Sequence, residues 1–193
     1  MHSWRAVLLD DYFGGNNWKG YRYDEPWNSR HNQQFARQDF TRDNYQCSVQ
    51  RRWASGTFTN YVLITGPGTL FPGSEQLSVD DIADGPENTI MAVHVCRTDY
   101  DWMEPRDLTL ADIDAAIENG GPLPIRGCHP DGLIYVVMAN SECQIMDPAI
   151  PPEILRGLLT IAGGEGVTQK QLIEDGYFHY GFRPGRFFDD QSK

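Results

Sequence analysis

No long apolar run occurs anywhere in the 193 residues of this chain. Because a transmembrane helix needs about 20 consecutive apolar residues, the sequence predicts no membrane span. Basic residues are also scarce: 16 Lys and Arg stand against 27 Asp and Glu, and the formal net charge is -11. A surface with this charge repels phosphate backbones, which argues against a nucleic-acid partner.

The common catalytic and nucleotide-binding signatures are missing as well. The sequence has no GxSxG nucleophile elbow, no GxxxxGK[ST] phosphate loop and no GxGxxG dinucleotide loop. Four cysteines are present, Cys47, Cys96, Cys128 and Cys143, but no two of them form a CxxC pair. An even number permits two disulfides in three connectivities, and buried thiols are an equal alternative.

Large aromatic side chains are abundant, with five Trp, nine Tyr and nine Phe. Together with a hydrophobic content of 40%, they supply enough apolar surface for a compact core in a chain of this length. The 19 Gly and 12 Pro indicate that much of the chain forms turns and loops. This composition is typical of a globular domain.

The local patterns predict strands and helices in a mixed order. Alternating β-branched and aromatic residues predict a strand that ends at Gly66-Pro67-Gly68, and the apolar run at 88–97 predicts a central strand. Ser29 is a candidate cap for a helix over 30–40, and Thr109 or Asp107 for one that ends at Gly120-Gly121. The remaining elements are a hairpin, in which ANSE joins GLIYVVM to CQIM, and a helix in PPEILRGLLTIAGGEG.

These elements predict an α+β fold, with an antiparallel β-sheet and flanking helices. Residues 1–166 are expected to form one globular domain. Residues 167–193 contain one short helical pattern and an aromatic stretch, YFHYGFRPGRFF. We expect them to form a C-terminal extension that packs on the domain and covers an edge of its core.

Histidines and cysteines in two segments raise the question of a zinc site. His94 and Cys96 stand two apart on a predicted strand and would share one face. Cys128 and His129 are adjacent, so that sheet pairing could bring all four to one ion, with Cys143 one strand later. Zinc sites usually present ligands in close pairs such as CxxC, which are absent here. Disulfides or buried thiols are therefore the preferred interpretation.

The segment DWMEPRD at 101–107 resembles an acidic binding site, because Asp101, Glu104 and Asp107 surround Arg106. One interpretation is a Ca²⁺ or sugar site. The other is a salt-bridged loop, which is favoured because carboxylates in loops are usually solvated.

A family resemblance rests on segments that occur in a fixed order: HSWRAVLLDDYFG, YRYDEPWNSRHNQ, YQC, TNYVLITGPGTLFPG, DGPENTIMAVHV, WMEPRDL, HPDGLIYVVMANSECQIM and EILRGLLTIAGGE. They cover about residues 2–164 and resemble the soluble part of a large bacterial family of pseudopilin-like proteins of unknown function. Members of that family are also described as solute-binding or transporter proteins. In it, a prepilin-type N-terminal helix precedes the segment matched by HSWR, and the sequence begins with Met1 at that junction.

The resemblance implies that residues 127–146 are the family's closing β-hairpin, with His129-Pro130-Asp131-Gly132 as its opening turn. Ala139-Asn140-Ser141-Glu142 stands where the family has Asp-Gly-Ser. Cys128 and Cys143 do not belong to the family pattern, and we expect them to form a cross-strand disulfide.

The acidic and aromatic loops of the family also have implied roles. Asp24, Glu25, Glu104 and Asp107 are candidate ligands for a cation, as in some pseudopilin heads. Binding-surface candidates are Trp27, Trp102 and Arg106. The loops DEPW and EPRDL are otherwise explained by a buried Trp that holds each loop in place.

The function expected from this resemblance is non-enzymatic. The chain would be a pseudopilin-like head that contacts other protein subunits in an envelope or type II secretion-like assembly. The location would be extracytoplasmic or periplasmic if the natural protein has the missing anchor, and cytoplasmic otherwise. No cofactor is expected, apart from Ca²⁺ as a candidate ion.

Two other functions compete with this one. The chain could be a soluble binding module for a small molecule, a glycan or Ca²⁺, with Trp27, Trp53 and Trp102 as contacts. It could also be a Cys/His metal enzyme, although no catalytic spacing supports that.

Overall fold

The structure is a computed structural model that describes residues 1–12, 20–37, 44–52, 54–163 and 166–180. Two compact units share the chain. Unit 1 consists of Met1–Tyr61 and Cys96–Asp107, and unit 2 consists of Val62–Val95 and Leu108–Lys193. Among the described residues, no helix has both the length and the apolar character that a bilayer crossing requires.

Unit 1 begins with helix α1, Trp4–Tyr12. Ser3 starts the helix, because its side-chain oxygen accepts the N–H of Arg5 at 3.1 Å. Ala6 and Leu9, three residues apart, are 0% and 3% exposed, so one face of α1 enters the core. That core also holds Tyr21, Phe35, Ala36, Tyr45, Trp102 and Met103.

The helix predicted over 30–40 does not form in its described part. Residues Asn32–Gln34 make a short 3₁₀ helix instead, and residues 38–40 are not among the residues that the structure describes. Ser29 does act as a cap, since its hydroxyl accepts the N–H of Asn32 at 3.0 Å. The Asn32 amide is fully buried and bonds the backbone of Arg22 in both directions. These bonds favour a compact loop over a continued helix.

A second short helix of unit 1, α2, covers Ser48–Arg51. The backbone of unit 1 also forms an antiparallel bridge between Phe58 and Asp101. The N–H of Thr59 also donates to the carbonyl of Tyr100 at 3.0 Å. The segment 96–107 is thus held beside the end of the first segment of unit 1.

A six-stranded sheet has the order β3-β1-β2-β4-β5-β6. Its strands are β1 Tyr61–Thr65, β2 Ile90–His94, β3 Leu108–Thr109, β4 Ile134–Met138, β5 Cys143–Met146 and β6 Phe178–Tyr180. The β2–β4, β4–β5 and β5–β6 pairs are antiparallel, whereas β1 and β3 pair in parallel. The predicted α+β class is confirmed, but the sheet is mixed and not purely antiparallel.

Three helices belong to unit 2: α3 Leu110–Glu118, α4 Pro152–Leu158 and α5 Gln169–Glu174. Thr109 caps α3 as predicted, in a reciprocal capping box with Asp112. Ile113 of α3 and Leu155 of α4 are fully buried. An ion pair between Asp114 and Arg156, 2.6 Å long, links α3 and α4.

The predicted β4–β5 hairpin is confirmed. Along β4 the buried residues alternate with half-buried ones, as expected for a strand with one face in the core. Of the predicted C-terminal extension, residues 167–180 supply α5 and β6, and β6 extends the sheet by pairing with β5. The remaining stretch, 181–193, lies outside the described residues.

Candidate functional site

The candidate residues divide between the two units. Unit 1 contains Asp24, Glu25, Trp27, Cys96, Trp102, Glu104, Arg106 and Asp107. Unit 2 contains His94, Cys128, His129 and Cys143. Trp53, a candidate contact of the binding module, lies outside the described residues.

Asp107 serves as the counter-ion of a buried arginine. Arg5 is 0% exposed, and its Nη2 donates to Asp107 Oδ1 at 2.5 Å. The same carboxylate oxygen accepts the indole N–H of Trp4 at 3.1 Å. Burial lowers the pKa of Arg5, and the charge and hydrogen bond of Asp107 oppose that shift. No local pattern in the sequence predicts a buried arginine in α1.

Arg5 also ties α1 to the backbone of unit 1. Its Nε donates to the carbonyl of Tyr61 at 2.9 Å, and its Nη1 donates to Ser3 Oγ at 3.0 Å. Nη2 reaches the carbonyl of Arg106 at 3.4 Å. A guanidinium has five donors in a fixed fork, so this one side chain can satisfy several acceptors in the core.

The four candidate cation ligands do not come together. Glu25 lies in an exposed ion pair with Arg22, 2.6 Å long, and the backbone carbonyl of Glu104 faces Arg5. Within the described part of the chain, no three of Asp24, Glu25, Glu104 and Asp107 form a group that could hold an ion.

The binding-surface candidates differ in exposure. Trp102 is 1% exposed, and its indole N–H donates to the carbonyl of Ala36 at 2.9 Å. Its ring stacks on Tyr45 with centroids 6.0 Å apart. Placing Trp102 at a surface was therefore wrong, because the WMEPRD loop packs this ring into the core. Trp27 is partly buried against the same core.

Arg106 is the candidate that does lie at the surface. Its side chain is 49% exposed and stands 3.6 Å from Asp99. Its guanidinium also lies over the ring of Tyr100, 4.0 Å from the centroid. Exposed pairs of this kind contribute little to stability.

In unit 2, strand pairing brings two rings together on the face of the sheet that carries the half-buried residues of β4. Val93 of β2 pairs with Val136 of β4, so that His94 and Tyr135 lie opposite each other in an antiparallel ladder. Their ring centroids are 5.9 Å apart in an edge-to-face contact. Alternation along GLIYVVM could have placed Tyr135 on this face, but only the register identifies His94 as its neighbour.

The loop before β4 adds two further side chains to this pair. The ring of His129 lies 5.8 Å from that of His94 and 5.1 Å from that of Tyr135, between centroids. The Cys128 sulfur and a ring nitrogen of His94 lie within 4.8 Å of each other. We call His94, Cys128, His129 and Tyr135 the His/Cys cluster.

The geometry of the loop fixes where Cys128 and His129 stand. The predicted opening turn is present, since the N–H of Gly132 donates to the carbonyl of His129 at 2.9 Å, with Pro130 at its second position. At Gly127, a Cβ would lie 2.0 Å from the carbonyl oxygen of Leu133. Only glycine therefore fits directly before Cys128.

His94 is neutral at physiological pH. The side chain is 2% exposed, and burial, with a smaller contribution from the charge of His129, lowers its pKa from 6.5 to about 4. A neutral imidazole is the form that binds metals or accepts a proton.

Cys96 and Cys143 stand apart from the His/Cys cluster. The strand predicted at 88–97 ends at His94, and Arg97 has a φ of 60°, so the two-residue spacing no longer places Cys96 on the face of His94. Cys96 lies in unit 1, with its sulfur 3.7 Å from Gln50 Oε1. Cys143 is exposed and pairs with Val137.

The expected Cys128–Cys143 disulfide is absent from the structure, in which both residues are thiols. Their places in the hairpin explain this. Cys143 pairs with Val137 near the 139–142 turn, whereas the loop holding Cys128 closes at Leu133, next to the opposite end of β4. Ile134 and Val137 are about 10 Å apart along the strand, which exceeds the Cα separation that a disulfide spans.

Unit 2 also contains a cavity of about 310 Å³ lined in part by Asp84 and Asn88. Asp84 Oδ2 accepts the N–H of Gly163 at 2.5 Å. The Asn88 amide accepts the N–H of Gln169 at 2.8 Å and donates to the carbonyl of Asp84 at 2.7 Å. These polar groups hold loops in place, which is a structural role.

No family model, curated protein or solved structure matches this chain. The pseudopilin-like assignment therefore stays a prediction from the sequence segments quoted above.

Proposed function

We propose that this chain is a non-enzymatic, pseudopilin-like head domain that works by contact with other protein subunits in an envelope or secretion-type assembly. An extracytoplasmic location is part of the proposal. Support comes from the segments that resemble this family across about residues 2–164, and from an α+β body with a β-hairpin at 134–146.

The observation that carries the proposal is the use of the WMEPRD loop. Trp102 is buried and bonded to Ala36, and Asp107 neutralises the buried Arg5. Two residues of the loop that most resembled a ligand site are thus engaged in packing and charge compensation within unit 1. Such a loop favours a scaffold that presents a surface over one that performs chemistry.

A contact surface is available on the outer side of α1. Val7 and Leu8 of α1 are 41% and 51% exposed. Tyr23, whose hydroxyl donates to Asp10 of α1 at 3.2 Å, is 44% exposed. Large apolar side chains that remain accessible on a helix are typical of protein-binding surfaces. We assign this side of α1 as the contact with a neighbouring subunit.

Site-specific photo-crosslinking in host cells tests this assignment. With p-benzoylphenylalanine in place of Leu8, we expect a covalent adduct with one envelope protein. The matched control carries the same group in place of Lys170, whose side chain is 86% exposed, and should give no such adduct. No adduct at position 8, or equal adducts at both positions, would contradict the proposal.

Purified components then test the interaction itself. Leu8→Glu should weaken binding to the cross-linked partner by about tenfold or more, because a carboxylate would be buried without a partner. Since Leu8 is half exposed, circular dichroism of the variant should match that of the wild type.

The alternative of a small-molecule or glycan module has less support. Trp102, one of its contacts, is buried in unit 1. Its proposed Ca²⁺ ligands are not gathered among the described residues.

A further inference from the structure

We propose that His94, Cys128 and His129 form a Zn²⁺ site in unit 2. The proposal goes beyond the subunit-contact function and does not depend on it. Histidine nitrogen and cysteine thiolate are both preferred ligands of Zn²⁺.

The distance between the first two donors fits one ion. A ring nitrogen of His94 and the Cys128 sulfur lie within 4.8 Å. With Zn–S near 2.3 Å and Zn–N near 2.0 Å, tetrahedral ligands stand about 3.5 Å apart. A shift of roughly one ångström in the loop that holds Cys128 closes this gap.

The distance between the two imidazole rings is also close to that expected for ligands of one zinc ion. Rings bound to one tetrahedral zinc have centroids about 5 Å apart, from the Zn–N length and the size of the ring. The observed separation between His94 and His129 is 5.8 Å. His129 is only half buried, so its ring can turn toward the ion more easily than that of His94.

The cluster is held by backbone features that lie close to each ligand. His94 is the last residue of β2, and the turn at 129–132 together with Gly127 sets the loop. Tyr135 packs against both imidazoles. A ligand that is fixed before the metal arrives, as the buried His94 is, loses less conformational entropy when it binds the metal.

The donor set excludes hard cations. It offers nitrogen and sulfur and no carboxylate, which suits a transition metal such as Zn²⁺ and does not suit Ca²⁺ or Mg²⁺. Both imidazoles bind in the neutral form. The Cys128 thiol gives up its proton to solvent as the Zn–S bond forms, so each zinc bound releases one proton from sulfur.

Cobalt titration of the reduced full-length chain, stripped of metal with a chelator, tests the site. We expect one Co²⁺ per chain, a thiolate-to-cobalt charge-transfer band, and displacement by one Zn²⁺. Cys128→Ser should abolish that band, and His129→Gln should weaken Zn²⁺ binding by about tenfold or more. The control is Cys143→Ser, which removes an exposed thiol of β5 and should leave titration and band unchanged.

A measurement on the wild type keeps the test independent of how the variants fold. Zinc should slow alkylation of Cys128, followed by peptide mass spectrometry, and should leave the rate at Cys143 unchanged. Equal alkylation of Cys128 with and without zinc, or wild-type affinity in Cys128→Ser, would overturn the proposal. Either result leaves the subunit-contact function standing.

Discussion

At the residue scale, Ser141 is a residue with a Cβ in a backbone conformation that favours glycine. It has a φ of 69° and ends the three-residue loop 139–141 of the β4–β5 hairpin. The N–H of Ser141 donates to the carbonyl of Met138 at 2.9 Å. The N–H of Met138 donates to the carbonyl of Glu142 at 2.8 Å. In such loops, the left-handed position is one that glycine prefers.

We therefore expect Ser141→Gly to stabilise the protein. A residue with a Cβ in the left-handed conformation destabilises the folded state by about 1–2 kcal/mol. Glycine avoids this strain, but its greater freedom in the unfolded chain lowers the gain by about 0.5–1 kcal/mol. The free energy of unfolding in urea should rise by about 0.5–1 kcal/mol. Ser141→Ala keeps the Cβ and should bring no gain; equal effects of the two changes would refute this account.

His94 gives a second prediction, on pH. Its pKa is about 4 in the folded chain and about 6.5 when exposed. Between these values the unfolded chain binds a proton that the folded chain does not, so stability is full above pH 6.5 and falls as the pH drops toward 4. The groups facing His94 from the packed elements of unit 2 are Cys128, His129 and Tyr135.

The full loss corresponds to about 3 kcal/mol. Most of this loss should appear as the difference between the unfolding free energies at pH 7 and at pH 4.5, measured with a chelator present. His94→Gln should reduce the difference between the two pH values, whereas His129→Gln should largely keep it. If both variants retain the wild-type difference, His94 is not the titrating group.

At the scale of elements, local signals were sufficient where the structure itself is local. The capping box of Thr109 and the alternation along β4 depend only on residues that are close in sequence. For this reason both α3 and the hairpin were predicted. The parallel β1–β3 pair was missed, because no local pattern states which distant strand will be a neighbour.

The candidate site follows the same rule. His94, Cys128 and His129 were predicted as a group, and the structure brings them together. Cys96 was included because residues two apart share a face in a strand, but β2 ends at His94. The burial of Arg5 was not predicted, since its partner Asp107 is 102 residues away.

The link between α1 and the 104–107 loop gives the third prediction. Asp107→Ala would leave the charge of Arg5 in the core without compensation, which typically costs about 3–5 kcal/mol. We expect a loss of that size in denaturant unfolding followed by tryptophan fluorescence.

Arg106→Ala is the matched control, one residue away on the same loop. Its side chain is exposed and pairs with the exposed Asp99, so the loss should stay within about 1 kcal/mol. Similar losses for the two variants would show that Asp107 is not the counter-ion on which α1 depends.

At the scale of the whole molecule, the two units are interleaved in sequence. The boundaries at 61/62, 95/96 and 107/108 mean that neither unit is one continuous stretch. For unit 1, the later segment supplies Trp102 and Met103 to the core and Asp107 to Arg5. Unit 1 is thus complete only after residue 107 has been synthesised.

The fourth prediction follows from this order: a fragment of residues 1–61 should not fold. Without the 96–107 segment, Tyr45 loses its stacking partner Trp102, and Arg5 would be buried without a counter-ion. We expect a poorly dispersed amide NMR spectrum and no cooperative unfolding transition.

A chimera that joins residues 1–61 to 96–107 through a short Gly-Ser linker is the control for this fragment. Phe58 and Asp101 already form an antiparallel bridge, and Thr59 bonds Tyr100, so the linker has little distance to span. The chimera should unfold cooperatively and show the blue-shifted emission of a buried tryptophan at Trp102. A native-like spectrum from residues 1–61 alone would contradict the prediction, because the core of unit 1 would then form without Trp102.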